Sequence, residues 1–184
     1  MNLFFIDIYL EKNANSLCDK HVVKMILETA QLLYSAWHTR STVPASELKP
    51  YRLTHKNHPM AIWVRECEAN YTYTCYYGLL LCAEYTQRYG KYHKTQAHIQ
   101  LLLDWGFPPL DNIIEPPKKQ AAISYAYKDI THGIQCIPLC MDEQYYIRDQ
   151  HGDLLGTESY RNYYRSKQDK FSMQWKCNKP LWFY

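Results

Sequence analysis

The sequence predicts an all-α fold: one domain of about five helices, with an irregular, proline-containing insertion over 106–156 and a basic, aromatic tail over 157–184. Three observations point there. Apolar residues recur at helical spacing through most of the first 105 positions, which form the helical core. Pro59 and Gly90 stand where a helix starts and stops rather than inside one. And 184 residues with 47% hydrophobic content suffice for a core without disulfide or metal staples.

Taken in order, residues 2–10 read as a short extended or turn-like segment. A helix then runs from 19 to about 38, with Asp19 as its expected N-cap. A loop rich in Ser, Thr and Pro follows. Pro59 suits a first helical position and makes His58 the cap of a helix of nearly 30 residues. Its periodicity persists through Trp63, Tyr71, Leu79 and Tyr85 to Gly90. A further helix is expected over 92–105, packed against the long one across the Gly90 break. Over 106–153, Pro108-Pro109, Pro116-Pro117 and Pro138 predict irregular connections with one or two short helices. A last helix is expected over 157–165, capped by Thr157.

Composition narrows the function classes. A net charge of +3 is mild, so a nucleic-acid footprint has to come from local clustering of Lys and Arg. Eighteen tyrosines are too many to bury completely, so some are expected at a contact surface. Seven scattered cysteines, with Cys136 and Cys140 lacking zinc-site spacing, suit reduced thiols in a cytosolic setting. Asp7 interrupts the first apolar run, which argues against a signal peptide, and no stretch approaches about 20 uninterrupted apolar residues. A cytoplasmic monomer without membrane contact is expected: in host cytosol if viral, with nuclear access if eukaryotic.

Chemistry concentrates in three places. His21 and Glu28 are seven apart, so they share one helix face with Met25 and Leu32. A carboxylate among apolar neighbours is partly desolvated, and desolvation moves a carboxyl pKa toward neutrality, as general acid–base work requires. The plainer reading makes Glu28 a salt-bridged residue at the edge of an amphipathic stripe. The second place is Thr54-His55-Lys56-Asn57-His58-Pro59, before a helix N-terminus whose unpaired amides attract an anion such as phosphate. Its two histidines have the spacing of a turn, not of a metal-binding helix face, and neither metal nor cofactor is expected. Here too a structural reading exists, with Asn57 and His58 capping the helix. The third is the stretch from Tyr160 to Tyr184, where Arg161, Arg165, Lys167, Lys170, Lys176 and Lys179 face a single acid, Asp169, and alternate with Tyr163, Tyr164, Trp175, Trp182, Phe183 and Tyr184. Cations there meet phosphates and rings stack on bases, unless the rings dock on the core.

These motifs, in this order, resemble the pyrimidine-dimer DNA glycosylases of endonuclease V type. The residues that carry the resemblance are Asn2-Leu3, then Asp19-Lys20-His21 with Glu28 seven residues on. Asn57-His58-Pro59 follows, opening a helix that ends in Glu84-Tyr85-Thr86-Gln87-Arg88-Tyr89, and the last is the Pro180-Leu181-Trp182-Phe183-Tyr184 tail. The resemblance implies a helical enzyme on duplex DNA in which the N-terminal α-amine attacks deoxyribose C1′, forms a Schiff base and nicks the strand by β-elimination. Met1, Asn2, His21 and Glu28 become the catalytic set, with His21 orienting Glu28 or contacting phosphate. A side chain as large as that of Asn2 normally leaves Met1 in place, which makes Met1 the amine, and Lys24 is a second candidate. Lys24, His55, Lys56, Asn57, His58, Arg65, Lys176, Lys179, Trp182, Phe183 and Tyr184 become the DNA-binding set. Loss of Trp182–Tyr184 is then expected to weaken DNA binding and spare the fold. Two other classes use the same residues: a viral-type base- or nucleotide-modifying enzyme built on His21, Glu28, His55 and His58, and a noncatalytic nucleic-acid-binding module.

Overall fold

The computed structural model describes residues 1–116, 123–127, 133–134 and 136–184. Among them are six α-helices: α1 (Leu10–Asn15), α2 (Asp19–Arg40), α3 (Pro59–Glu66), α4 (Glu68–Tyr89), α5 (Gln96–Trp105) and α6 (Gly156–Arg165). The one sheet described is a two-residue antiparallel pair, β1 (Tyr125–Ala126) with β2 (Ile137–Pro138), in which Tyr125 faces Pro138. Short 3-10 turns occupy Glu143–Tyr145 and Ser166–Asp169. The helical fold class is as expected, with α1 unforeseen. The expectation of irregular connections over 106–153 falls partly on 117–122, 128–132 and 135, including Pro117, which lie outside the described residues.

α2 is the hub, packing against α3, α4 and α5, while α4 also carries α1. Gly78 allows the close approach: a Cβ there would sit 2.8 Å from a methyl of Ile99 on α5 and 2.9 Å from Thr29 on α2. Residues 1–6 belong to no helix or strand, and Leu3, Phe4, Phe5 and Ile6 are all buried. Phe5 packs edge-on to Trp63, against Tyr73 and against Tyr160, so the N-terminus is wedged between the first helices and α6. Asn13 on α1 ties it down, accepting from the Ile6 amide at 2.7 Å.

Several expected boundaries move. The long helix expected from Pro59 to Gly90 is two helices, with Cys67 extended between them (φ −149°, ψ 163°). No Gly or Pro marks this break. Its freed carbonyls are taken by side chains instead: Asn70 donates to the Trp63 carbonyl at 2.9 Å and Arg40 to that of Arg65 at 3.2 Å. Gly90 ends α4 in the left-handed conformation (φ 65°), as expected. His58 caps α3 as expected, its Nδ1 accepting from the Met60 amide at 3.1 Å. Asp19 does not cap α2. Cys18 holds that position, and the Asp19 carboxylate accepts from Arg88 at 2.9 Å and from the Lys176 amide at 3.1 Å. Thr157 likewise lies inside α6, behind Leu155 at the cap, with its hydroxyl buried and unpartnered among the described residues.

Six of the eighteen tyrosines are buried in the core. Tyr34, Tyr71, Tyr77, Tyr160 and Tyr164 are fully buried. Polar links allow it: the Tyr71 hydroxyl donates to the Leu102 carbonyl and accepts from the Trp37 indole, both at 2.9 Å. Tyr92 and Tyr184 are among those left outside. No described helix is long and apolar enough to cross a membrane.

Candidate active site

Glu28 lies on α2 facing a cleft of about 390 Å³, lined among others by Met1, Asn2, His21, Lys24 and His58. Its side chain is 15% exposed. One oxygen accepts from the Asn2 backbone nitrogen at 3.2 Å, and the other pairs with the Lys24 ammonium one turn earlier, also at 3.2 Å. The N-terminal segment is thus laid across the carboxylate. Asn2 is fixed from its far side, its amide donating to the Cys140 carbonyl at 3.1 Å. The Tyr160 hydroxyl on α6 in turn donates to the Pro138 carbonyl at 2.7 Å. Glu28 is therefore salt-bridged, as the plainer reading has it, and also faces the cleft, because the side chain has two oxygens and a different partner on each.

The two histidines of the cleft are neutral at pH 7. His21 is pulled down to about 4 by burial, and further by the Lys24 and Lys167 ammoniums. Its Nδ1 takes a hydrogen bond from the Tyr164 hydroxyl at 2.8 Å, and that hydroxyl accepts from the Cys18 amide at 2.9 Å. The ring packs against Phe4 and Phe171. His21 therefore forms the cleft wall and makes its hydrogen bond to Tyr164, not to Glu28. His58 is also held near 4, by burial first, then by the N-terminal ammonium and His55, against the opposing pull of Glu28. An imidazole that accepts at Nδ1 to cap a helix has to be neutral on that nitrogen, so geometry and titration agree.

The remaining expected site residues lie elsewhere. Lys56, Asn57 and Arg65 line a different cleft, of about 570 Å³, together with His38, Asp111 and Glu115. Arg65 is only 6% exposed and donates to the Lys56 carbonyl, so it braces the loop before α3. His55 sits in that loop with φ 49°, its carbonyl accepting from the His58 amide at 2.8 Å. The four residues His21, Glu28, His55 and His58 do not all line one pocket, since His55 is absent from the Glu28 cleft. Among the described residues no group of three or more His, Cys, Asp or Glu side chains is placed to hold a metal.

The tail is docked on the core. Phe183 is 6% exposed, packed on Trp175 and Tyr164. Trp182 lies under the guanidiniums of Arg161 and Arg165, and Arg165 donates to its carbonyl at 2.8 Å. Lys176 lies over Tyr89, and Lys179 beside Trp175 and Phe183. Tyr184 is 87% exposed, with the Arg165 guanidinium 5.2 Å from its ring centroid. Phe183 is thus unavailable for stacking on bases. The reason is the Pro180-Leu181-Trp182-Phe183 turn, closed by the Phe183 amide on the Pro180 carbonyl at 3.0 Å.

Sequence reasoning did not place Phe4 in the cleft, nor, from beyond residue 105, Cys140, Tyr163, Lys167, Lys170 and Phe171. No motif announces them. The basic run of the tail contained Lys167 and Lys170, but nothing in their spacing set them apart from Lys176 or Lys179.

The fold and the cleft define a helical protein whose own N-terminal segment lies against a helix-borne carboxylate, in a cleft also lined by lysines and two histidines. The family model described as pyrimidine dimer DNA glycosylase matches residues 1–100, and the chain belongs to that family, a family of DNA-repair enzymes. No curated protein and no solved structure matches the chain.

Proposed function

We propose that this chain excises damaged pyrimidines from duplex DNA and nicks the strand through an amine Schiff base formed in the Glu28 cleft. The observation that carries this reading is the 3.2 Å contact between the Asn2 backbone nitrogen and Glu28, in a cleft that Met1 also lines. The N-terminal α-amine is the nucleophile. With Met1 present it is the Met1 amine; on a chain processed to Asn2 it is the nitrogen already touching Glu28. An α-amine, with an ordinary pKa of about 7.7 to 8.0, supplies more neutral nucleophile at pH 7 than a lysine at about 10.4. Lys24, held against Glu28 as an ion pair, is the charge partner.

The amine attacks deoxyribose C1′. The glycosidic bond breaks, the base leaves with the electron pair, and Glu28 offsets the positive charge that develops on the sugar. Opening of the ring gives an iminium between C1′ and the amine nitrogen. Loss of a C2′ proton then expels the 3′ phosphate, so that one C–O bond breaks as a C–C double bond forms. Glu28 is the group placed to move protons in these steps, an effect of roughly 10²- to 10⁴-fold on rate.

Borohydride trapping of the purified chain on duplexes carrying an ultraviolet dimer or an abasic site tests the reading, with the trapped peptide mapped by mass. The expected result is an adduct at the N-terminal residue, and a Glu28→Gln variant that binds DNA yet loses at least about 100-fold in turnover. No adduct on either duplex would remove the Schiff base and leave group transfer or simple binding as the function of the cleft.

A further inference from the structure

We propose that Lys167 and Lys170, on the 3-10 turn after α6, act with Lys24 of α2 as a phosphate clamp that seats the DNA backbone over the Glu28 cleft. The clamp rests on the reading of that cleft as a DNA site. It deepens that reading by joining to Lys24 two lysines from a part of the chain that the family match over residues 1–100 does not reach.

Three ammoniums from two distant segments line one cleft whose lining includes one carboxylate, Glu28. Glu28 is already occupied by Lys24 and the Asn2 nitrogen. Lys167 and Lys170 have no carboxylate partner among the described residues. The Lys167 ammonium stands over the Tyr163 ring, 3.6 Å from its centroid, which fixes its direction on the wall of the cleft. Nearby, Lys20 of α2 lies over Phe171 at 4.9 Å, adding a fourth positive charge at the edge.

Cations this close repel one another. Lys167 is pushed down to about 8 by burial, then by Lys170 and Lys24, with the Tyr145 phenol from the preceding turn pulling the other way. Neutral His21 and Tyr163 complete its surroundings. Such crowding is unfavourable in the free protein and is relieved when an anion enters. A row of phosphates, with duplex charge every ~1.7 Å of axis, is the anion that meets several lysines at once. Binding then draws a proton onto Lys167: its charge is present below about pH 8 and lost above it, so affinity weakens as pH rises through that value.

The test measures dissociation constants of the full chain for a duplex carrying a tetrahydrofuran abasic analogue, which cannot form a Schiff base, across salt and pH. Lys167→Gln and Lys170→Gln are each expected to reduce the salt slope by about 0.9, and the double variant by about 1.8. Lys167→Arg is expected to keep the slope and lessen the weakening above about pH 8, because a guanidinium does not titrate there, while the Met1 α-amine of the same cleft is unaltered by the substitution. Lys170 is exposed, so its variant reports on binding without a folding question. An unchanged slope in the double variant overturns the clamp, as does a borohydride adduct on Lys167 in the nicking reaction, since that would make it the nucleophile. A wild-type chain that nicks while the double variant keeps its slope refutes the clamp alone. A chain that forms no adduct but loses slope as expected refutes only the lyase chemistry.

Discussion

His21 shows how one buried side chain ties stability to pH. An unfolded histidine binds a proton near pH 6.5, whereas folded His21 resists protonation until about 4. Above about 6.5 neither state is charged and His21 contributes nothing to the pH dependence. Between 6.5 and 4 the unfolded chain binds more protons, so stability falls as pH falls, by about 3 kcal/mol in all. Thermal melts from pH 7 to pH 4 are expected to show this loss, and a His21→Phe variant, which keeps the packing against Phe4 and Phe171, a shallower one. Arg88 is the second residue with a large stake. It is buried, bonded to Glu84 at 2.6 Å and Asp19 at 2.9 Å and to the carbonyls of Leu17 and Asn15, both at 2.8 Å. Replacing it by Met leaves Glu84 as an uncompensated buried charge and is expected to cost 3 to 5 kcal/mol, on the order of 10 °C in Tm. Adding Glu84→Gln to that variant is expected to recover part of the loss, which separates desolvated charge from lost packing.

The helices themselves meet at places where a single atom matters. Gly78 on α4 leaves no room for a Cβ between Ile99 and Thr29, so Gly78→Ala is expected to destabilise by about 1 to 3 kcal/mol despite its better helix propensity. Chemical denaturation reads that balance directly, and a stabilised variant would show that α2 and α5 yield easily. The tail behaves as an element too. Removing Trp182–Tyr184 uncovers the site that Phe183 fills, and burial of a Phe contributes about 1.5 to 3 kcal/mol. The truncated chain is therefore expected to melt at lower temperature, whatever becomes of DNA binding. Propensity reasoning found α2, α5, α6 and the outer ends of the α3–α4 stretch at Pro59 and Gly90, because such punctuation acts locally, but it put the α2 and α6 caps at Asp19 and Thr157, where Cys18 and Leu155 hold them. It missed the α3–α4 break at Cys67 because Asn70 and Arg40, the side chains that sustain it, act on the carbonyls only once the helices are packed.

One buried cluster runs from Leu3 to Phe183, so the insertion and tail share the core of residues 1–105. Tyr160 and Tyr164 of α6 are fully buried, Tyr160 against Phe5 and Tyr164 against Phe4 and His21. A fragment ending at residue 105 is expected to lose cooperative unfolding, since it uncovers these faces together with one wall of the Glu28 cleft. Near-ultraviolet circular dichroism and a melt of the fragment check this; a sharp transition would establish an independent N-terminal unit.

The face shared by His21, Met25 and Glu28 was legible in the order of residues, because helix geometry alone aligns positions seven and four apart. So were the His58 cap and the helical class. The partner on each Glu28 oxygen was half legible: Lys24 lies one turn away, while Asn2 reaches Glu28 only through Cys140 and the wedge of Phe4 and Phe5. The buried state of Arg65 and Phe183, the separation of Lys56 and Asn57 from the cleft, and the convergence of Lys167 and Lys170 on it were not legible. Each depends on contacts between segments far apart in the chain, and local spacing carries no information about which distant surface a side chain will meet.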